Sequence, residues 1–241
     1  MNLDDNMYDT HFLVTCKYRE TMKKNIIRIL LGSLAFFVLL LGCLAIIRHY
    51  KRVPPQSGST VYRLAREKAD ALKTYAVKNG YDTCYCFLVD YSLPSGTPRF
   101  FIWNFMTEEI EFADFCMHGA GKGNTACTPI FSNQQGSNCS SLGRFIVLKN
   151  KYGKILGEKR SRGVIGIDSS NNNAQQRGLL IHDSYFLDYQ SFIPRKCLPL
   201  NGASCSGCIT ITSNGFKKAK EIIDHSSAKI LLWTYCSQSP H

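Results

Sequence analysis

The chain has 241 residues, with 29 Lys+Arg against 18 Asp+Glu and a formal net charge of +11. Hydrophobic residues make up 44% of it, which excludes a disordered chain and allows a substantial core. The positive balance suits an anionic polymer as partner. No nucleic-acid motif is present, however, and Gly119-Ala120-Gly121-Lys122-Gly123 lacks the spacing of a phosphate-binding loop.

Residues 1–28 read as a cytoplasmic tail ahead of the chain's one long apolar segment, Ile29 to Ile47, which holds no charge. As a helix its 19 residues rise about 28 Å, close to the hydrocarbon thickness of a bilayer. Lys17, Arg19, Lys23, Lys24 and Arg28 precede it, and Arg48, Lys51 and Arg52 follow. That bias favours an N-terminus inside and an exported C-terminal domain. The expectation is a single-pass protein of the cytoplasmic membrane with its domain periplasmic or otherwise extracytoplasmic. A cleaved signal peptide is the rival reading. Leu40-Leu41-Gly42-Cys43 faintly resembles a lipidation box, but the apolar run continues past Cys43.

Residues 48–59 form a polar linker with Pro54-Pro55 and Gly58. Residues 60–82 carry an amphipathic helix and its turn: Val61, Leu64, Ala65, Leu72, Tyr75 and Ala76 fall at helical spacing, and Asn79-Gly80 stops it. Residues 83–241 then read as one domain. From residue 53 onward there are 21 Lys+Arg against 14 Asp+Glu, a net +7.

Within that domain, eight short runs are rich in β-branched and aromatic residues. They are Thr83–Asp90, Arg99–Asn104, Glu109–Met117, Arg144–Lys149, Val164–Ile167, Gly178–His182, Ile209–Ile211 and Lys229–Tyr235. Turn clusters such as Pro94-Ser95-Gly96 separate them. A helix is expected from Asn214 to Asp224, with Ser213 as its cap. The fold class is therefore mainly β with a few helices, a sandwich or open barrel, after one N-terminal transmembrane helix.

Eleven cysteines are present. Cys16 and Cys43 precede the domain, and nine follow: Cys84, Cys86, Cys116, Cys127, Cys139, Cys197, Cys205, Cys208 and Cys236. An exported domain permits disulfides, and an odd number leaves a thiol free. With Cys208 free, the other eight could form up to four bridges. Cys205-Ser206-Gly207-Cys208 is a C-x-x-C, but the residues after it read as a strand rather than the helix of a thioredoxin-type motif. A dithiol redox function remains open on this motif. No second cysteine pair completes a zinc site, and neither metal nor cofactor is expected.

A cysteine after a small-residue turn and a histidine ending an earlier strand, His182, can make a nucleophile and its base. From spacing alone, a buried thiol and a satisfied core histidine are the better reading.

A dozen landmarks in order carry a resemblance. They are Phe87-Leu88-Val89-Asp90-Tyr91, Arg99-Phe100-Phe101-Ile102, Met117-His118-Gly119, Phe131-Ser132-Asn133, Gly136-Ser137, Ser140-Ser141-Leu142-Gly143-Arg144-Phe145, Tyr152-Gly153, Gly166-Ile167-Asp168, Asn173-Ala174, Arg177, Ile181-His182 and Gly207-Cys208. Over residues 83–235 the chain resembles a murein L,D-transpeptidase catalytic domain of the YkuD-like fold. The resemblance implies a cysteine acyltransferase acting on peptidoglycan stem peptides. Cys208 would attack the amide before a terminal D-alanine, and the thioester would pass to an amine, or to water in an L,D-carboxypeptidase.

In such a site His182 is the base, oriented by the backbone carbonyl of Asp183; the Asp183 carboxylate is the alternative. The N–H groups of Ser206, Gly207 and Cys208 would form the oxyanion hole. His118 is either a substrate contact or a structural histidine. Arg177 either binds a stem carboxylate or pairs within the protein. The chain departs from the family pattern at Cys205, where Ser or Thr is common, at Ser206, and at Asp183, where Gly or Ala is common. Two other functions stay in view: a thiol–disulfide oxidoreductase using Cys205 and Cys208, and a non-catalytic wall-binding module.

Overall fold

A computed structural model describes residues 5–51, 54–149, 159–200 and 206–237. The chain divides into two compact units, Met1–Ile46 and Ile47–His241. The described part of the first unit belongs to the helix α1, Asp5–Lys51. Within it, Tyr18–Ile46 is long and apolar enough to cross a membrane, as an anchor or a signal sequence. Its large apolar side chains, such as Leu30, Phe36 and Leu39, are exposed, the arrangement expected where lipid is the solvent.

The second unit opens with α2, Thr60–Asn79. Ser59 caps it, its hydroxyl accepting from the Tyr62 N–H at 3.2 Å, and Gly80 ends it in the left-handed region at φ 72°. Among the described residues nine strands follow: β1 Tyr85–Asp90, β2 Phe100–Asn104, β3 Glu109–Asp114, β4 Cys116–Met117, β5 Gly143–Val147, β6 Ser161–Gly166, β7 Leu180–Asp183, β8 Ile209–Ile211 and β9 Ile230–Tyr235. Two further helices are α3, Tyr185–Phe192, and α4, Ser213–His225.

The strands form one sheet in the order β3-β2-β1-β9-β5-β6-β7-β8-β4. Only Phe115 separates β3 from β4 in sequence, yet these strands lie at opposite ends of the sheet order. The chain steps from one edge to the other in a single residue, so the sheet curls into a nearly closed barrel. Closure removes two exposed edges that would otherwise invite pairing with another chain.

Strand alternation sorts the side chains into two cores. Phe87, Val89, Ile102, Phe145, Ile181, Ile209 and Leu232 share a cluster with Phe216 and Ile223 of α4. Their neighbours Cys86, Leu88, Phe101, Trp103 and Leu231 meet Tyr62, Ala65, Ala69, Leu72 and Ala76 of α2. A third, small cluster joins Phe115 and Met117 to Leu187 of α3 and Leu198 beyond it. All three clusters lie within residues 61–236, so this unit carries its own core.

Local details differ from the sequence expectation in three places. The run Glu109–Met117 splits into β3 and β4 because the chain changes sheet edge at Phe115. The cap of α4 is Thr212, one residue earlier than expected, its hydroxyl accepting from the Gly215 N–H at 3.2 Å. The eight-residue helix α3 was not expected at all. Among the described residues one disulfide forms, Cys127–Cys197, while Cys84, Cys86, Cys139, Cys208 and Cys236 are free thiols. Cys205 and the side chain of Cys16 lie outside the described residues.

Candidate active site

Strands β7 and β8 run parallel, with Ile181 opposite Ile209, His182 opposite Thr210 and Asp183 opposite Ile211. Period-two alternation sends Ile181, Ile209 and Ile211 into the barrel core. It turns His182 and Thr210 to the other face, and the same register carries Cys208 alongside Leu180. The Leu180 N–H donates to Cys208 Sγ at 3.4 Å. Cys208, just before β8, and His182 on β7 are thus one residue pair out of step, and the Cys208 side chain also packs against the core cluster.

The imidazole is fixed by its partners. Nδ1 lies 2.7 Å from the Asp183 carbonyl oxygen. A carbonyl only accepts, so Nδ1 carries the proton and Nε2 is the acceptor. Nε2 receives the Thr210 hydroxyl at 3.1 Å. Sequence reasoning missed Thr210, although it stands only two residues beyond Cys208 and falls opposite His182 in the strand register. The Asp183 carboxylate takes no part in orienting the ring. Its Oδ1 accepts from Arg160 Nε at 2.8 Å and its Oδ2 from the Ser213 hydroxyl at 3.4 Å.

Electrostatics favour the neutral forms of both groups. Burial pushes the Cys208 thiol up, partly offset by the Leu180 N–H and the positive Arg177. Burial also holds His182 below its ordinary range; Asp183 counters this, and Arg160 adds to it. The resting pair is thus thiol and imidazole, not thiolate and imidazolium. Such a pair works by general-base removal of the thiol proton during attack.

The turn before the thiol is tightly enclosed. Gly207 has φ 96°, and a Cβ there would collide with the Cys139 carbonyl oxygen and lie 2.8 Å from Arg177 Nη2. Glycine is required both for the backbone conformation and for the space. Arg177 is itself committed within the protein. Nη1 donates to the Ser132 carbonyl at 2.8 Å and the Ser141 hydroxyl at 2.5 Å; Nη2 donates to the Cys139 carbonyl at 2.5 Å and the Ser137 hydroxyl at 3.4 Å. It braces the 132–141 loop against the thiol turn. Ser206 is exposed beside it.

His118 lies 1% exposed, with both ring nitrogens engaged. Nδ1 accepts from Arg99 Nη2 at 3.0 Å, and the Nε2 proton goes to the Thr125 carbonyl at 2.8 Å. Burial, with the Arg99 charge second, lowers it to about 4, so it is neutral. It holds the 118–125 loop, where Gly119 and Gly121 press on the backbone of Asn138, Cys139 and Ser137. The structure thus leaves no ring nitrogen of His118 open to a substrate. Among the described residues no cluster of His, Cys, Asp and Glu has the makings of a metal site.

A barrel-like domain with a free thiol and an oriented imidazole on adjacent strands can support cysteine-based acyl transfer. A family model, YkuD_2, the L,D-transpeptidase catalytic domain, matches residues 56–235. The chain belongs to this family of peptidoglycan-modifying domains. Among solved structures, a variant of the helical cell shape determining protein Pgp2 from Campylobacter jejuni aligns with 14% identity and a TM-score of 0.38. The alignment covers 75% of this chain and 58% of that one, so the chain spans less than two thirds of that relative. No curated protein matches the chain.

Proposed function

We propose that this chain is a membrane-anchored L,D-transpeptidase that forms a thioester on Cys208. Tyr18–Ile46 anchors it, and the flanking positive charges set the domain on the exported side, where the cell wall is its substrate. The observation that carries the reading is the His182 geometry: an imidazole with its Nδ1 proton locked to the Asp183 carbonyl, on the strand next to the segment that holds a free thiol, in a domain of this family.

In the proposed reaction, Cys208 Sγ attacks the carbonyl before a terminal D-alanine, and His182 Nε2 takes the thiol proton. For this the ring exchanges the Thr210 hydroxyl for the thiol, its diagonal neighbour. The oxyanion of the tetrahedral intermediate is held by the N–H groups of Ser206, Gly207 and Cys208. The C–N bond then breaks, and D-alanine leaves with the proton from His182. An amine of a second stem peptide, or water, attacks the thioester, gives its proton to His182, and the thiol is restored. No cofactor enters these steps. Arg177 acts as a positioning residue and as a fixed positive charge near the sulfur.

The test is intact mass of the protein after exposure to a carbapenem, a lactam this class of thiol opens, followed by analysis of stem-peptide products. One adduct, absent in Cys208→Ala, together with D-alanine release by the parent, is expected. Unmodified folded parent and intact substrate would instead support the wall-binding module. Equal loss of turnover in Cys205→Ser and Cys208→Ser would support the dithiol reading.

A further inference from the structure

Arg160 stands immediately before β6, and the register of β6 with β7 pairs Ser161 with His182. Arg160 therefore lies beside Asp183, one pair beyond the candidate base, and its carbonyl accepts the Asp183 N–H at 3.3 Å. Its guanidinium is held from two sides. Nε donates to Asp183 Oδ1 at 2.8 Å, and the group stacks 4.2 Å from the centroid of the Tyr185 ring. That ring is 60% exposed, while the Asp183 side chain is 9% exposed.

Asp183 engages only Nε. Among the described residues no hydrogen bond engages Arg160 Nη1 or Nη2, and the side chain remains a third exposed. Arg177 and Arg99 differ, since both spend their terminal nitrogens on carbonyls, hydroxyls or a ring nitrogen inside the fold. Arg160 alone of these three presents the end-on fork of a guanidinium. That fork matches the two oxygens of a carboxylate, and the ion pair and the ring fix its orientation in advance. Its charge also reaches His182, whose proton affinity it lowers.

We infer that Arg160 binds a free carboxylate of the stem peptide, with Asp183 and Tyr185 as its positioning residues. This rests on the acyltransferase reading for the identity of the peptide, but not for the presence of a carboxylate site. Along the strands, the Leu180 and Asp183 levels are about 10 Å apart. Strand alternation puts the Arg160–Asp183 pair on the opposite face from the His182 ring, so the bound carboxylate lies at the end of β7, beyond His182 along the strand from the thiol's level. Stem peptides bear more than one carboxylate, at the terminal D-alanine and along the chain, and the test separates them.

The experiment measures binding of a stem tetrapeptide to the full chain in detergent, carrying Cys208→Ala so that turnover cannot intervene. The peptide is compared with analogues in which either the terminal or an internal carboxylate is an amide. Arg160→Gln is expected to weaken the parent peptide by about 10–100-fold. It should leave the affinity of one amide unchanged, and that amide identifies the carboxylate. Arg160→Lys should recover part of the loss. Tyr185→Ser should weaken the acid peptide more than the matching amide. Unchanged affinity in Arg160→Gln, or an equal fall for acid and amide peptides, overturns the inference. An enzyme that binds with this discrimination but takes no carbapenem adduct at Cys208 would keep the carboxylate site and reject the acyltransferase reading.

Discussion

The two walls of the candidate site differ in how much freedom the fold leaves them. On the thiol side, Gly207, Arg177, Cys139 and His118 have their donors and space spent inside the protein. On the base side, His182 accepts from the Thr210 hydroxyl, which the proposed reaction displaces, and among the described residues Arg160 keeps a fork of donors uncommitted. The comparison separates rigidity from recognition. A nucleophile turn gains from being over-determined, because acyl transfer tolerates little misplacement. A recognition wall needs groups that are oriented but unsatisfied until the substrate arrives.

The sharpest way to break this contrast is Gly207→Ala. The added Cβ meets the Cys139 carbonyl oxygen, and alanine disfavours φ 96°. Carbapenem acylation is expected to fall by about 100-fold or more, with unfolding stability lower by about 1–3 kcal/mol. Near-parent acylation with unchanged stability would show that the turn has slack.

Next in size is the response to acid. Unfolded, the His118 ring takes a proton below about pH 6.5, whereas folded it does so only near pH 4, where burial and the Arg99 charge place it. The unfolded state binds more protons in that window. Its contribution is therefore complete above pH 6.5 and is lost as pH falls toward 4, by about 3 kcal/mol. Denaturant midpoints at pH 7.5 and 4.5 should show the fall, and His118→Gln should flatten most of it. His182, held low by the same cause, adds a remainder of the same sign. An unaltered pH slope in His118→Gln would place the acid sensitivity elsewhere.

The smallest expected effect is Thr210→Val. It keeps the side chain's shape and removes the hydroxyl that competes for His182 Nε2. Acylation within about threefold of the parent, or faster, is expected if the hydroxyl merely parks the ring. A tenfold loss would make Thr210 part of the proton path and move it to the committed wall.

Much of the fold is legible in the chain itself. Strands such as β2, β7 and β9 announce themselves as short runs rich in apolar, β-branched and aromatic residues between turn residues, and the stop of α2 stands at Asn79-Gly80. Helix α3 is not legible. Tyr185, Tyr189 and Phe192 are apolar yet exposed, and only Leu187 and Ser191 are buried, so no core-facing stripe marks a helix. The disulfide is equally hidden, since Cys127 and Cys197 are 70 residues apart and no spacing selects that pair among the cysteines.

The sequence by itself determined that a mainly β domain follows an apolar helix, and that Cys208 and His182 are the residues to watch. Both follow from local signals: the period of the apolar residues and the turns around them, joined by ordered motifs. Only the tertiary structure decided what surrounds those two side chains. Thr210 meets His182 because β7 and β8 pair in one register rather than another. Arg177 is spent on carbonyls 38 and 45 residues away, while Arg160 is not, although both are arginines near the same strands. A side chain's hydrogen-bonding partners are set by whichever groups folding brings within 3 Å of it, and sequence distance carries no record of them.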